Sequence, residues 1–316
     1  MIARWLFKSA AALTLAGLSA CSPIAVLNDT APRSGFRETH GLAYGNDVRQ
    51  RLDVYTPRDT GAVVLPELAA TPKPGDAAMA GAAPNGGPDQ EADVHGRPIV
   101  VFFYGGSWQN GSRNDYLFVG AALASRGFVA VLPDYRTYPE TVFPGFIQDA
   151  AAAVRWARDH AREFGGDPSR LYIMGHSAGA QIAVLLATDG RYLAAQRLSK
   201  RDVRGVIGLA GPYDFLPLTD PVLEQVFPVG SRRASQPINF VSGDEPPMFL
   251  AAGKRDKTVD PGNTDRLAAK LLAAGDSVQV EHYPRVGHAL LAGALSVPLR
   301  GLAPVLADVT RFIDSH

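Results

Sequence analysis

The 316-residue chain has one cysteine, no excess charge of either sign and no internal repeat. A lone cysteine, Cys21, excludes an intramolecular disulfide, so no covalent staple holds the fold. Its 31 basic residues balance 31 acidic ones, and the basic domain or stripe expected of a nucleic-acid partner is missing. The short Arg232-Arg233 pair reads as solvated surface. No histidine–carboxylate cluster accompanies the cysteine, so neither a metal site nor a cofactor is expected. What is present is apolar material, 46% of the chain. Once the atypical segments below are set aside, roughly 250 residues remain, enough to bury the core of one large α/β domain.

The N-terminus is one such segment. Residues 1–8 carry Arg4 and Lys8 and no acid, and residues 9–20 are apolar or small. This is the layout of a secretory signal, too short to span a bilayer comfortably. It ends Leu18-Ser19-Ala20-Cys21, which resembles the lipobox of bacterial lipoproteins. The resemblance implies a signal segment over 1–21, lipidation of Cys21 and a membrane anchor in the cell envelope. Ser22 is similar to the residue found in lipoproteins sent to an outer membrane, facing the periplasm. A plain secretory signal that contains a cysteine is the alternative. Residues 22–36 are then expected to be a tether, and 37–316 the folded domain.

Within that domain, strand-like segments fall near 37–44 and 50–57, where Arg51-Leu52-Asp53-Val54-Tyr55 alternates as a half-buried strand does. Residues 58–97 are rich in Ala, Pro and Gly, with almost no aromatics. Such a stretch buries too little apolar surface to offset its ordering entropy. It is read as a low-complexity insertion between two strands, with a lid or partner-binding loop as the alternative. From Pro98 onward, strands alternate with helices. The strands are Ile99–Phe103, Val129–Leu132, Leu171–Met174, Val203–Leu209, Met248–Ala252 and Val278–Tyr283. The helices fall at 114–126, 145–163, 178–188, 262–274 and 302–314. Apolar strands covered on both faces, alternating with helices, predict an α/β fold with a mostly parallel sheet.

Gly175-His176-Ser177-Ala178-Gly179 matches G-x-S-x-G between an apolar strand and a helix-forming run. That is the setting of a nucleophile elbow, in which small neighbours let a strained serine turn form. A serine hydroxyl needs a base, and the base needs an acid to fix its tautomer. Downstream histidines are His282, His288 and His316. His282 lies within a strand and is read as packing, while His316 is terminal. His288 follows Gly287 just past a strand and is assigned as the base. Asp256, beyond the turn Gly253-Lys254-Arg255, is favoured as the acid over Asp260 and Asp214. Backbone donors for a developing oxyanion are expected at Ala178, and at Gly106 and Ser107 in the loop after Phe103, with Gly105 giving the turn. Trp108 and Tyr213 are expected as walls of the substrate site, and Gly105 borders it.

Tyr104-Gly105-Gly106-Ser107-Trp108 resembles the H-G-G-x-W motif of α/β-hydrolase carboxylesterases. These are related to hormone-sensitive-lipase-like esterases, arylformamidases and isoprenylcysteine methylesterases. Asp134-Tyr135-Arg136 is similar to the D-Y-R after the next strand in those enzymes, as is Phe164-Gly165-Gly166-Asp167-Pro168 leading into the elbow. The resemblance covers about residues 98–290. It implies the α/β-hydrolase fold, a triad of Ser177, Asp256 and His288, and hydrolysis of a small-molecule ester without metal or cofactor. One position departs: the family's histidine is Tyr104 here, which puts the loop's shape and the substrate preference in question. An arylformamidase-type amidase, a peptidase and a non-catalytic binding module are the other readings.

Overall fold

The computed structural model describes residues 23–58 and 96–316. Cys21 with its lipobox-like segment, and residues 59–95 of the expected insertion, lie outside the described residues. Among the described residues, eight strands form one sheet: β1 (Phe36–Ala43), β2 (Arg51–Pro57), β3 (Arg97–Phe103), β4 (Val129–Pro133), β5 (Gly166–His176), β6 (Gly205–Leu209), β7 (Met248–Gly253) and β8 (Val278–Tyr283). Their order is β1-β2-β4-β3-β5-β6-β7-β8. The β1–β2 and β2–β4 pairs are antiparallel and the pairs from β4 to β8 are parallel. This is the α/β-hydrolase arrangement expected from the sequence.

The central strands read as unbroken apolar runs because both faces are covered. Ile99 through Phe103, Leu171 through Met174 and Met248 through Ala251 are all buried. The helices are α1 (Pro23–Asp29), α2 (Leu117–Ala124), α3 (Gly145–Asp159), α4 (Ala178–Thr188), α5 (Arg191–Ala195), α6 (Pro221–Val226), α7 (Gly262–Ala274), α8 (His288–Gly293) and α9 (Val305–Ser315). Helix α4 is buried along its whole length, so the element that follows the serine is held by the middle of the core.

Residues 22–36 are not simply a tether. Within them α1 packs Ile24 and Leu27 against the core. The Asn28 side chain donates to the Asn114 carbonyl at 2.8 Å and accepts from the Phe118 N–H at 3.2 Å. Seven residues are too few for helical periodicity to register, which is why the sequence pattern misses the helix.

Register sets the site. Phe103 pairs with Gly175, His176 with Leu209, Leu209 with Ala251, and Gly253 with Tyr283. The parallel strands therefore end together at one edge of the sheet. The loops after β3, β5, β7 and β8 all leave from that edge, the usual place for a ligand site in open α/β sheets.

Candidate active site

The turn between β5 and α4 is strained where chemistry needs it. Ser177 has φ 57° and ψ −124°, a conformation foreign to ordinary serine. Such a residue costs about 1–3 kcal/mol and persists only when its surroundings over-determine it. Here the Ser177 N–H donates to the Leu209 carbonyl at 2.9 Å, and the Ser177 carbonyl accepts from Ala180 and Gln181. The flanking glycines allow the approach. A Cβ on Gly175 would strike the Gly179 backbone, and one on Gly179 would strike the Phe103 and Tyr104 carbonyls.

His288, the first residue of α8, places Nε2 2.8 Å from Ser177 Oγ. Its Nδ1 lies 2.7 Å from Asp256 Oδ2. The other oxygen of Asp256 accepts from the Thr258 and Val259 N–H groups at 2.8 and 2.9 Å. The carboxylate is therefore held at both oxygens, and its side chain is only 1% exposed. The Nδ1–H donates to Asp256, leaving the Nε2 lone pair for the serine proton. The rival acids stand elsewhere. Asp214 and Asp260 both pair with Arg266, at 2.7 and 3.2 Å, on the rim of the cleft. His282 is not simply packed in a sheet face, because its Nε2 lies 2.8 Å from Asp265 Oδ1.

The loop after β3 also comes up against Ser177. A Cβ on Gly105 would lie 2.9 Å from Ser177 Cβ, so only glycine lets the loop sit so close. Ser107 and Trp108 follow at φ 54° and 58°, two successive left-handed non-glycine residues. Among the described residues, the N–H groups of Gly106 and Ser107 donate to no protein acceptor. Ala178 opens α4, so its N–H has no partner within the helix. Ser107 and Ala178 border the cleft with Ser177, and free N–H groups there are what oxyanion stabilisation calls for.

Side chains behind the loop hold this shape. Tyr104 points into the core, where its hydroxyl donates to Asp134 at 3.0 Å and accepts from Arg49 at 3.2 Å. Burial, reinforced by the Asp134 carboxylate, pushes its pKa well above the ordinary tyrosine range. It stays a neutral donor, anchoring the loop at the position where the H-G-G-x-W motif has histidine. Asp134 also accepts from the Arg113 backbone at 2.6 Å and pairs with the Arg113 guanidinium. Tyr135 donates to the Tyr104 carbonyl at 2.8 Å, and Arg136 is fixed by Asp149. Asp134 and Tyr135 of the D-Y-R thus support the loop, while Arg136 is tied to helix α3.

A cleft of about 380 Å³ opens over Ser177, bordered by Ser107, Trp108 and Ala178. Trp108 Nε1 donates to Gln181 at 3.0 Å, and its ring stacks on Phe215 with centroids 5.6 Å apart. Tyr213 does not form the wall expected of it. It is fully buried, with its ring and hydroxyl against Gly208 and Gly211. Phe215, two residues on, faces the cleft in its place. Gly105 acts as a spacer rather than a lining residue. Sequence reasoning also missed His176, Gln181 and Leu223. His176 sat in view as the variable position of the motif; Leu223 lies on α6, too short to read.

Comparison with known proteins agrees with this arrangement. The BD-FAE family model matches residues 88–271, more than half of the chain. Carboxylesterase NlhH of Mycobacterium tuberculosis is 31% identical over 65% of this chain and 72% of its own length. Isoprenylcysteine alpha-carbonyl methylesterase of Arabidopsis thaliana is 25% identical over 84% of this chain and 60% of its own. The chain spans about half the length of several curated relatives it matches, between 42% and 60%. The hyperthermophilic esterase of the archaeon Pyrobaculum calidifontis shares the fold, with TM-score 0.67 and 19% identity over 92% of this chain and 90% of that one. With the family match spanning the elbow and the donor loop, the chain belongs to the BD-FAE family of α/β-hydrolase esterases.

Proposed function

We propose that the protein is a serine carboxylesterase that hydrolyses small carboxylic esters through an acyl-enzyme on Ser177. The observation that carries this reading is the relay from Asp256 through His288 to Ser177, at 2.7 and 2.8 Å. The carboxylesterase and methylesterase relatives support it. In this reading His288 takes the Ser177 proton as Oγ attacks the ester carbonyl. The carbonyl oxygen becomes an oxyanion and moves towards the N–H groups of Gly106, Ser107 and Ala178. Loss of one such donor typically costs about 2.7–4 kcal/mol. His288 then delivers its proton to the departing alcohol. Water, deprotonated by the same imidazole, returns the acid and the free serine. Asp256 remains ionised and holds the imidazole tautomer.

The cleft favours small substrates. Trp108, Phe215 and Leu223 give the cleft apolar lining, while Asp214, Asp260 and Arg266 give it charged lining. An apolar acyl group against the apolar residues and a polar alcohol against the charged ones fit this division. Steady-state assays with p-nitrophenyl esters of increasing acyl length test it, with N-formylkynurenine as an amide competitor. Acetyl and butyryl esters are expected to exceed dodecanoyl and longer ones in kcat/KM. Faster turnover of the amide than of any ester favours the arylformamidase reading. Turnover of neither favours a binding module.

We also propose that Cys21 carries a lipid anchor that holds the enzyme to an envelope membrane. The lipobox-like Leu18-Ser19-Ala20-Cys21 supports this, since acyl chains stabilise membrane attachment by about 0.8 kcal/mol per buried CH₂. Cys21→Ala is expected to move the esterase from the membrane to the soluble fraction of a bacterial host. Retention in the membrane fraction contradicts the anchor.

A further inference from the structure

We propose that His176 is a positioning residue that couples the base loop to the donor loop. The inference rests on the serine-esterase reading above. His176 is buried, 5% exposed, immediately before Ser177 at the end of β5. Its Nε2 lies 3.0 Å from the backbone carbonyl of His288. A carbonyl only accepts, so Nε2 carries the proton and donates. The imidazole rings of His176 and His288 have centroids 4.8 Å apart. On its other side, His176 Nδ1 lies 3.2 Å from where a Cβ on Gly105 would stand. One ring thus touches the backbone that carries the base and faces the glycine that brings the donor loop against Ser177.

The charge state suits a fixed strut. Burial, with His288 beside it, pushes the pKa of His176 down to about 3. At neutral pH it is therefore an uncharged donor with a defined tautomer. Nδ1 is left buried and without a hydrogen-bond partner among the described residues. An orphaned buried acceptor is destabilising. A leucine here would avoid that cost while filling much of the space. A motif position that accepts an orphaned nitrogen is explained if the other nitrogen fixes His288.

The two nitrogens supply the test. A glutamine side chain can place its amide N–H near the position of Nε2, whereas asparagine reaches only about as far as Nδ1. His176→Gln, His176→Asn and His176→Leu are compared with the full-length parent, using p-nitrophenyl butyrate. A misplaced base costs on the order of 100-fold in rate. Accordingly, kcat should fall about 10- to 100-fold in His176→Leu and His176→Asn, with KM changed less than about threefold. His176→Gln should recover most of the loss. Thermal unfolding is followed alongside, because a purely structural role would track melting temperature and not the kcat order. If His176→Leu does not fold, the glutamine–asparagine comparison still decides. Parental kcat in His176→Leu, or equal kcat in the Gln and Asn variants, overturns the proposal. Ser177→Ala separates the two readings: activity surviving that change refutes the esterase mechanism, whereas its loss beside unaffected His176 variants refutes only the strut.

Discussion

Ser177→Ala should lower kcat for an ester substrate by about 10⁵- to 10⁶-fold while leaving binding of an unreactive ester analogue nearly unchanged. The expectation follows from the division of labour in the site. Ser177 supplies the only hydroxyl placed 2.8 Å from His288 Nε2 among the described residues. The cleft walls, Trp108 and Phe215, do not depend on that hydroxyl. Removing Oγ also leaves the elbow strained but intact, since its backbone bonds to Leu209, Ala180 and Gln181 remain. Stopped assays with a coloured leaving group resolve a loss of this size. A variant that keeps more than about 1% of parental kcat would place the nucleophile elsewhere.

Asp256→Asn carries the second large effect, a fall in kcat of about 10⁴-fold with little change in fold. Asparagine keeps the shape of the side chain, and its carbonyl oxygen can still accept from Thr258 and Val259. What then faces His288 is an amide N–H, which drives the imidazole into the wrong tautomer. The same change at Asp214 or Asp260 should cost less than about tenfold, because both pair with Arg266 on the rim and neither reaches His288. Measuring kcat for the three variants checks the assignment. A larger loss at Asp214 or Asp260 than at Asp256 would overturn it.

The fold was legible where burial is two-sided. Strands β3 to β7 announce themselves as apolar runs, and their parallel order follows from the intervening helices. Their common edge then brings the loops after β3, β5, β7 and β8 together, so Ser177, Asp256 and His288 could be named before any coordinate. Short elements were not legible. The helices α1, α6 and α8 have six or seven residues each, less than two turns, and carry no usable period. The region from Ala210 to Pro247 is loop broken by short helical elements, so its aromatic residues could not be sorted into core and cleft wall.

The misplacement of Tyr213 shows what local sequence cannot hold. Its position just past β6 points to the catalytic edge, yet the glycines at 208 and 211 leave a buried space that its ring fills. Phe215 faces the cleft, whereas Tyr213 is turned inwards. Tyr104 is the opposite case. Departure from the histidine of the H-G-G-x-W motif puts the donor loop in question, and the structure shows the hydroxyl held between Asp134 and Arg49. Here the tyrosine hydroxyl ties the loop to both. His176 remained unread because the motif treats its position as variable, and only the tertiary fold sets it beside His288.

The central claim is that Ser177 becomes acylated, and intact-protein mass spectrometry followed by peptide mapping tests it most directly. The folded, full-length protein is treated with a fluorophosphonate and, separately, rapidly quenched during turnover of p-nitrophenyl butyrate. One phosphonyl adduct and a transient butyryl adduct are expected, both on the peptide that contains Gly175-His176-Ser177-Ala178-Gly179 and both abolished in Ser177→Ala. An adduct on any other residue, or turnover with no adduct at Ser177, would contradict the account.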